Sequence, residues 1–364
     1  MQIPVPLNRH SYNIEIGSGI LASAGKVLSS LGTEQKISKA VIITDANVQK
    51  FGYTETVYHS IQSSGLPCAL IGVEAGEQSK SIHEAVFLWE SLLELGADRK
   101  TVVITVGGGV VGDLAGFAAA TFARGIRFFQ IPTTLLAQVD SSVGGKVGID
   151  LPTAKNMVGA FHQPLGVLAD VDTLQTLPKE QYFCGLGEVV KYAVSLDAGL
   201  FRFLKDNAER INCRDKTVLQ QIIADCCRIK AAIVAEDERE TTGKRALLNY
   251  GHTFGHAFEI MSDFTLLHGK GVVLGSICAA KLAVKLGMIG EDIYEQHLEL
   301  FRLLNLPSEL PADIDWDKCI ALMRHDKKAE LQNTRCSVKF VLPDALGHCV
   351  LKEMPLEEII KFQR

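Results

Sequence analysis

The segment RALLNYGHTFGHAFE (245–259) sets Arg245, Asn249, His252 and His256 at steps of four, three and four residues, with Glu259 a turn further on. On one continuous helix these steps share a face, while Leu247, Leu248, Phe254 and Phe258 occupy other positions. Burying such a stripe without partners would cost about 1–3 kcal/mol per polar group, so the stripe is expected to meet something polar. His252 and His256 have the spacing of two imidazoles on successive turns. That spacing serves a divalent cation, and it serves two hydrogen-bonded core histidines as well. The company they keep favours a site: Arg245 and Asn249 on the same face, His268 in LLHGKG, and the acid and base Glu188 and Lys191 in GLGEVVKYA.

A second group of residues suits a nucleotide. The run TVVITV (101–106) leads into Gly107, Gly108, Gly109, Val110, Val111, Gly112 and Asp113, a GxGxxG turn between a predicted strand and a predicted helix. Glycines there let the backbone approach a pyrophosphate, and the helix N-terminus offers unpaired N–H donors. The usual dinucleotide fingerprint has an acid about 20 residues on, yet Leu114 to Val139 contains neither Asp nor Glu. Asp45, in IITDANV at the tip of an earlier strand, is the alternative for the ribose. The loop GEQSKS (76–81) brings Glu77, Gln78 and Lys80 to another strand end.

The elements that must position these groups fall into two halves. AVIIT (40–44), CALIGV (68–73), TVVITV and RFFQIP (127–132) read as strands, and the stretches around 79–96 and 111–123 as helices, an alternation that predicts a mainly parallel sheet covered by helices. Beyond about Leu177 the strand signal nearly vanishes. Helical periodicity covers 185–206, 215–238, 245–261, 270–287, 291–304 and 315–325, and 336–351 reads as a hairpin. The expected architecture is a Rossmann-like α/β domain over 1–177 followed by a mostly helical domain over 178–364, with the active site in the cleft between them.

Bulk properties narrow the function classes. The 364 residues suffice for two domains, and 47% hydrophobic residues suffice for their cores. A net charge of -5 and a pI near 6.1 argue against a nucleic-acid partner. MQIPVPLNRHSYNIEIG lacks the pattern of a secretory signal, and no run reaches the roughly 18 apolar residues of a membrane span, so a cytoplasmic protein is expected. Nine cysteines, with no CxxC pair, read as reduced thiols.

Read whole, VGGGVVGDLAGFAAATFARGIRFFQIPTTLLAQVDSSVGGKVGIDLPTAKNMVGAFHQP, followed by GLGEVVKYA, LLNYGHTFGHAFE, LLHGKG and HDKK, strongly resembles the 3-dehydroquinate synthase family over nearly the whole chain. The resemblance implies metal ligands at Glu188, His252 and His268 for zinc or cobalt, and it moves His256 from ligand to neighbour of the reacting sugar. It implies NAD contacts at Asp45, Glu77, Gln78, Lys80, Gly107, Gly108, Gly109, Val110, Gly112, Asp113, Thr133, Thr134, Lys146, Lys155, Thr173, Leu174 and Thr176. Substrate contacts fall on Asp140, Lys146, Asn156, Lys191, Lys230, Arg245, Asn249, His256 and a lysine of HDKK, with Lys328 favoured over Lys327. Arg124 is expected to reach into a neighbouring subunit's site, which implies a homodimer. Gly187 departs from the alanine often found before the family's glutamate.

The family reaction converts 3-deoxy-D-arabino-heptulosonate 7-phosphate into 3-dehydroquinate and phosphate, a step of the shikimate pathway. Transient oxidation by NAD acidifies the proton beside the phosphate, elimination and re-reduction follow, and an intramolecular aldol step closes the ring. Two alternatives share many of these parts: a sister sugar-phosphate cyclase, and an NAD- and metal-dependent alcohol or glycerol dehydrogenase.

Overall fold

The structure, a computed structural model, describes all residues except Lys36, Thr153, 324–328, 333–334, 356–357 and 360–364, and of 32–35, 329–332 and 335–336 only the backbone. Lys328 lies outside the described residues. The chain forms two units, Met1–Pro178 with Leu219–Arg239, and Lys179–Val218 with Glu240–Arg364.

In the first unit the order is β1 (Gln2–Val5), β2 (Tyr12–Gly17), α1 (Ala24–Gln35), β3 (Lys39–Asp45), α2 (Ala46–Gln49), α3 (Tyr53–Ser63), β4 (Cys68–Val73), α4 (Ile82–Glu94), β5 (Thr101–Gly107), α5 (Gly109–Thr121), β6 (Arg127–Pro132), β7 (Lys146–Leu151), β8 (Ala154–Phe161) and β9 (Val167–Asp170). Seven of these strands make one sheet in the order β1-β2-β9-β6-β5-β3-β4; all neighbours run parallel except β1 with β2. The four strands expected from β-branched runs are β3 to β6, and the two expected helices are α4 and α5. Alternate residues of each strand feed opposite faces: Val41, Ile43 and Val103 meet α4 and α5, whereas Ala40, Ile42 and Val102 meet α1 and α3. With both faces covered, β3, β5 and β6 read as nearly unbroken apolar runs, while the edge strand β4 exposes one face. The hairpin of β7 and β8 escaped the pattern because glycine and asparagine interrupt its alternation.

The second unit holds α6 (Lys179–Leu196), α7 (Ala198–Asp206), α8 (Ala208–Asn212), the start of α9 (Lys216–Glu236), α10 (His252–Met261), α11 (His268–Lys285), α12 (Glu291–Leu303), α13 (Trp316–Met323), and an antiparallel sheet of β10 (Ala329–Gln332), β11 (Arg335–Ala345) and β12 (His348–Pro355). The rest of α9 groups with the first unit, where the Cys227 thiol donates to Gln138 O at 3.2 Å. Contiguous domains over 1–177 and 178–364 do not allow for that segment.

Two expectations about helices are corrected. The stretch 185–206 is two helices, because the Asp197 carboxylate caps a new one by accepting from Gly199 and Leu200 N–H at 2.7 and 3.0 Å. The stretch 245–261 is also broken: Lys244–Asn249 is a 3-10 turn, and Gly251, at φ 76°, resets the chain before α10. A Cβ on Gly251 would sit 2.6 Å from Val272 O, so close backbone contact with α11 forces the break. Arg245 and Asn249 therefore do not continue the helical face of His252 and His256.

His297 on α12 is fully buried beside Tyr250 and Phe301, and its Nδ1–H donates to Ile293 O at 2.8 Å. Burial pushes its pKa down to about 4, against a partly opposing backbone hydrogen bond. A depressed folded pKa means that its contribution is whole above the ordinary value of about 6.5 and is lost as pH falls toward about 4. His297→Leu should fold at pH 7.5 and, between pH 7.5 and 5, lose about 2 kcal/mol less stability than the wild type. Urea unfolding at the two pH values measures this; equal losses would show that His297 is not a source of acid sensitivity.

Candidate active site

Glu188 lies on α6, His252 is the first residue of α10, and His268 is the first residue of α11. The buried Glu188 Oε1 is 3.5 Å from His252 Nε2 and 3.2 Å from His268 Nε2. Two ligands bound at 2.0–2.2 Å to one tetrahedral ion stand about 3.4 Å apart, so these separations fit a shared cation. The far side of each ring agrees: His252 Nδ1 is 3.0 Å from Tyr250 O, and His268 Nδ1 is 2.9 Å from Glu259 Oε1. A carbonyl and a carboxylate only accept, which puts the Nδ1 protons there and turns the Nε2 lone pairs toward Glu188. Lys191 Nζ meets the other carboxylate oxygen at 2.6 Å and lies 4.2 Å from the Tyr192 ring centroid.

The two imidazoles differ in charge preference. Burial holds His252 well below the ordinary histidine pKa, with Glu188 only partly opposing. Burial also works against a proton on His268, but hydrogen bonds to Glu188 and Glu259 outweigh it and raise the pKa well above ordinary. The raised pKa of His268 reflects the two carboxylates that flank it, whereas burial keeps the His252 ring neutral.

Helix contact sets these separations. A Cβ on Gly187, one residue before Glu188, would stand 2.3 Å from Gly269 O, and one on Gly269 would stand 1.8 Å from Cys184 O. The backbones of α6 and α11 touch beside two of the three ligands. Gly187 thus lets α11 approach where any Cβ would clash with its backbone. His256 is half-buried, with ring centroids 5.4 Å from His252 and 6.1 Å from His268. Arg245 is buried on the 3-10 turn, its Nε 3.4 Å from Glu240 Oε1, and Asn249 ends the same turn.

In the first unit the candidate cofactor residues gather at the carboxyl ends of the parallel strands. The chain passes from β3 outward to β4 and then returns to β5 on the other side of β3, so the order reverses between β3 and β5. Ligands of open α/β sheets bind at such a point, and Asp45 ends β3 there while Gly107 ends β5. Asp45 caps α2 by accepting from Val48 N–H at 3.1 Å, and burial raises its pKa against that bond. Gly108 is the N-cap of α5, and Thr133 N–H donates to Gly107 O at 2.9 Å. Thr134 Oγ1 accepts from Ala137 N–H at 3.2 Å.

The buried Lys80 Nζ reaches Asp113 Oδ2 at 2.9 Å, Asn156 Oδ1 at 2.5 Å and Glu77 Oε1 at 3.7 Å, and Lys155 Nζ lies 3.8 Å from the same Glu77 oxygen. Burial opposes the Lys80 charge, and the Asp113 and Glu77 carboxylates outweigh it, so its pKa stands above an ordinary lysine's. Lys230 Nζ meets Asp140 Oδ1 and Asp140 O, both at 2.9 Å. Lys146 is exposed at the start of β7, and Arg124 is exposed with left-handed φ 66°. Gln78 Nε2 donates to Ala75 O and Thr176 meets the Tyr53 hydroxyl, while Thr173 and Leu174 are buried, Thr173 donating to Asp170 O.

Two partners had no role in the sequence reading: Asp150, which accepts from Asn156 N–H at 2.7 Å, and Glu240 beside Arg245. Glu259 stands there only as the end of the polar stripe, and the structure sets it beside His268.

Known proteins decide the family. Residues 70–184 match the profile of the 3-dehydroquinate synthase N-terminal region, and residues 185–329 that of the C-terminal region. The chain belongs to the 3-dehydroquinate synthase family. A 3-dehydroquinate synthase of Desulforamulus reducens is 45% identical over 361 residues, 98% of each chain. Among solved structures, 2-deoxy-scyllo-inosose synthase complexed with carbaglucose-6-phosphate, NAD+ and Co2+ has a TM-score of 0.88 at 26% identity, covering 99% of this chain and 98% of its own. The 2-epi-5-epi-valiolone synthase of Streptomyces hygroscopicus subsp. jinggangensis 5008, with NAD+ and Zn2+ bound, has a TM-score of 0.86 at 25% identity over 98% and 97%. This member of the 3-dehydroquinate synthase family thus shares its fold with 2-deoxy-scyllo-inosose synthase and 2-epi-5-epi-valiolone synthase.

If the glycine contact sets the ligand separation, Gly269→Ala should cost about 1–3 kcal/mol in denaturant unfolding. It should also weaken cobalt binding about tenfold or more, read from the visible spectrum of the metal-substituted protein. Wild-type values for both would show that the α6–α11 contact does not place the ligands.

Proposed function

We infer that this protein is a 3-dehydroquinate synthase, converting 3-deoxy-D-arabino-heptulosonate 7-phosphate to 3-dehydroquinate and phosphate with NAD and a divalent cation, zinc or cobalt. The observation that carries this reading is the 45% identity to a curated synthase from end to end, against 25–26% to the sister cyclases. The Glu188, His252 and His268 geometry supports the cation, and the two neighbours solved with NAD+ and Co2+ or Zn2+ support the cofactor pair. When bound, the cation polarises the substrate's carbinol and carbonyl oxygens, and NAD accepts and later returns one hydride.

The chain's own residues do the rest. Glu188, His252 and His268 hold the cation; the glycine turn, Asp45, Glu77, Gln78, Lys80, Asp113, Lys155 and the threonines 133, 134, 173 and 176 hold NAD. Lys146, Lys191, Asn156 and Arg124 bind the phosphate, and Arg245 with Lys230 binds the carboxylate, for which a guanidinium offers a two-pronged fit. Asp140 orients Lys230 and Asn249 fixes a hydroxyl. The proton is taken either by the departing phosphate or by His256, whose ring lies beside those of His252 and His268.

The protein is proposed to be a homodimer in which Arg124 enters the neighbouring site. Two consecutive left-handed residues, Ala123 and Arg124, project an exposed cation, and α4 and β8 expose Ile82, Phe87, Met157 and Phe161, apolar surface that an interface would cover. No described helix is long and apolar enough to cross a membrane.

Metal-stripped protein given substoichiometric NAD should release many phosphates per NAD once zinc or cobalt is added, and His268→Ala should lose about a hundredfold or more of that activity. NADH accumulating from a simple alcohol, with no phosphate released, would make it a dehydrogenase instead. Light scattering should give twice the 39.6 kDa chain mass, and Arg124→Ala should remain dimeric with its rate reduced at least tenfold. A fully active Arg124→Ala variant would remove that residue from the site.

A further inference from the structure

Glu259 sits two turns along α10 from His252 and is buried. Its Oε1 lies 2.9 Å from His268 Nδ1, whereas His268 Nε2 faces Glu188 at 3.2 Å. The first distance is that of an N–H···O hydrogen bond, and the second is close to the separation of two ligands on one ion. Room for the Glu259 carboxylate comes from Gly271 of the LHGKG segment, where a Cβ would stand 3.2 Å from Glu259 Oε1. A second grouping, His256, Glu259 and His268, also offers three ligand atoms close together. It would spend the His268 Nδ1 lone pair on a cation at the very place where a hydrogen-bond distance is found.

We propose that Glu259 is a positioning residue for the cation: it accepts the Nδ1 proton of His268, fixes that ring's tautomer and rotation, and thereby aims Nε2 at the ion shared with Glu188 and His252. The assignment rests on the cation reading above. It goes beyond it by giving the second unit an anionic support behind one ligand only, since the matching atom of His252 is held by a neutral carbonyl, Tyr250 O. A carboxylate behind an imidazole raises its basicity as well as orienting it, so Glu259 makes His268 the stronger of the two nitrogen donors.

The test is cobalt binding to metal-stripped protein, by chelator competition and by the visible d–d spectrum, with no substrate present. Glu259→Ala should weaken cobalt binding about 10–100-fold and change the spectrum. Glu259→Gln, which keeps an acceptor oxygen without the charge, should recover part of the affinity and a wild-type band shape. His256→Ala should bind cobalt within about threefold of wild type. NAD affinity, measured in parallel, reports that each variant is folded. Wild-type cobalt affinity in both Glu259 variants would overturn the proposal alone, and so would a loss in His256→Ala equal to that in Glu259→Ala. Absence of cobalt binding by the wild type would overturn the cation reading and this proposal with it.

Discussion

Three electron-pair donors, one carboxylate oxygen and two imidazole nitrogens, converge within 4.8 Å in the second unit, Glu188 and His252 buried and His268 half-buried. Such a group is unfavourable unless positive charge joins it, because buried acceptors facing one another lose water and gain no donor. The surroundings are arranged around that demand. Lys191 lies against the outer oxygen of Glu188, the two Nδ1 atoms are tied to acceptors, and the His268 pKa is raised toward a proton. Each of these features is compatible with a cation held at one point.

Meeting the demand requires three helices to come unusually close. Glu188 sits mid-helix while both histidines open their helices, so the ligand distances follow from how α6 and α10 lie on α11. Contacts at Gly187, Gly251 and Gly269 bring backbone against backbone, leaving no side chain to take up slack. Interiors are dense enough that an added methyl at such a point moves a helix rather than filling a void. The break at Gly251, which spoils a continuous helix, is therefore part of how His252 is placed.

The first unit answers a different problem, gathering charged side chains at the carboxyl ends of its strands. Its solution is local: strands β3 to β6 end together, the glycine turn opens α5 at the reversal of strand order, and Lys80 is held charged among Asp113, Glu77 and Asn156. A lysine held among such acceptors is a cation already desolvated and oriented.

Much of this was legible in the chain alone. Apolar runs marked β3 to β6, because β3, β5 and β6 are buried on both faces and the edge strand β4 keeps an apolar run with only one face buried. Motif order in GEVVK, GHTFGH and LHGKG carried the family, and the resemblance singled out Glu188, His252 and His268, which the structure brings together. Spacing without the fold misled at 245–256, where four polar residues at helical intervals lie on a 3-10 turn and a separate helix. Nothing in the local pattern shows that Gly251 must touch α11, because that contact joins residues more than twenty positions apart. Nor does the chain show that Glu259 stands behind His268, or that Asp150 and Glu240 support Asn156 and Arg245. Residue type and spacing determined which atoms could act; which atoms face each other was decided by helix packing and strand order, the terms that long-range contact alone supplies.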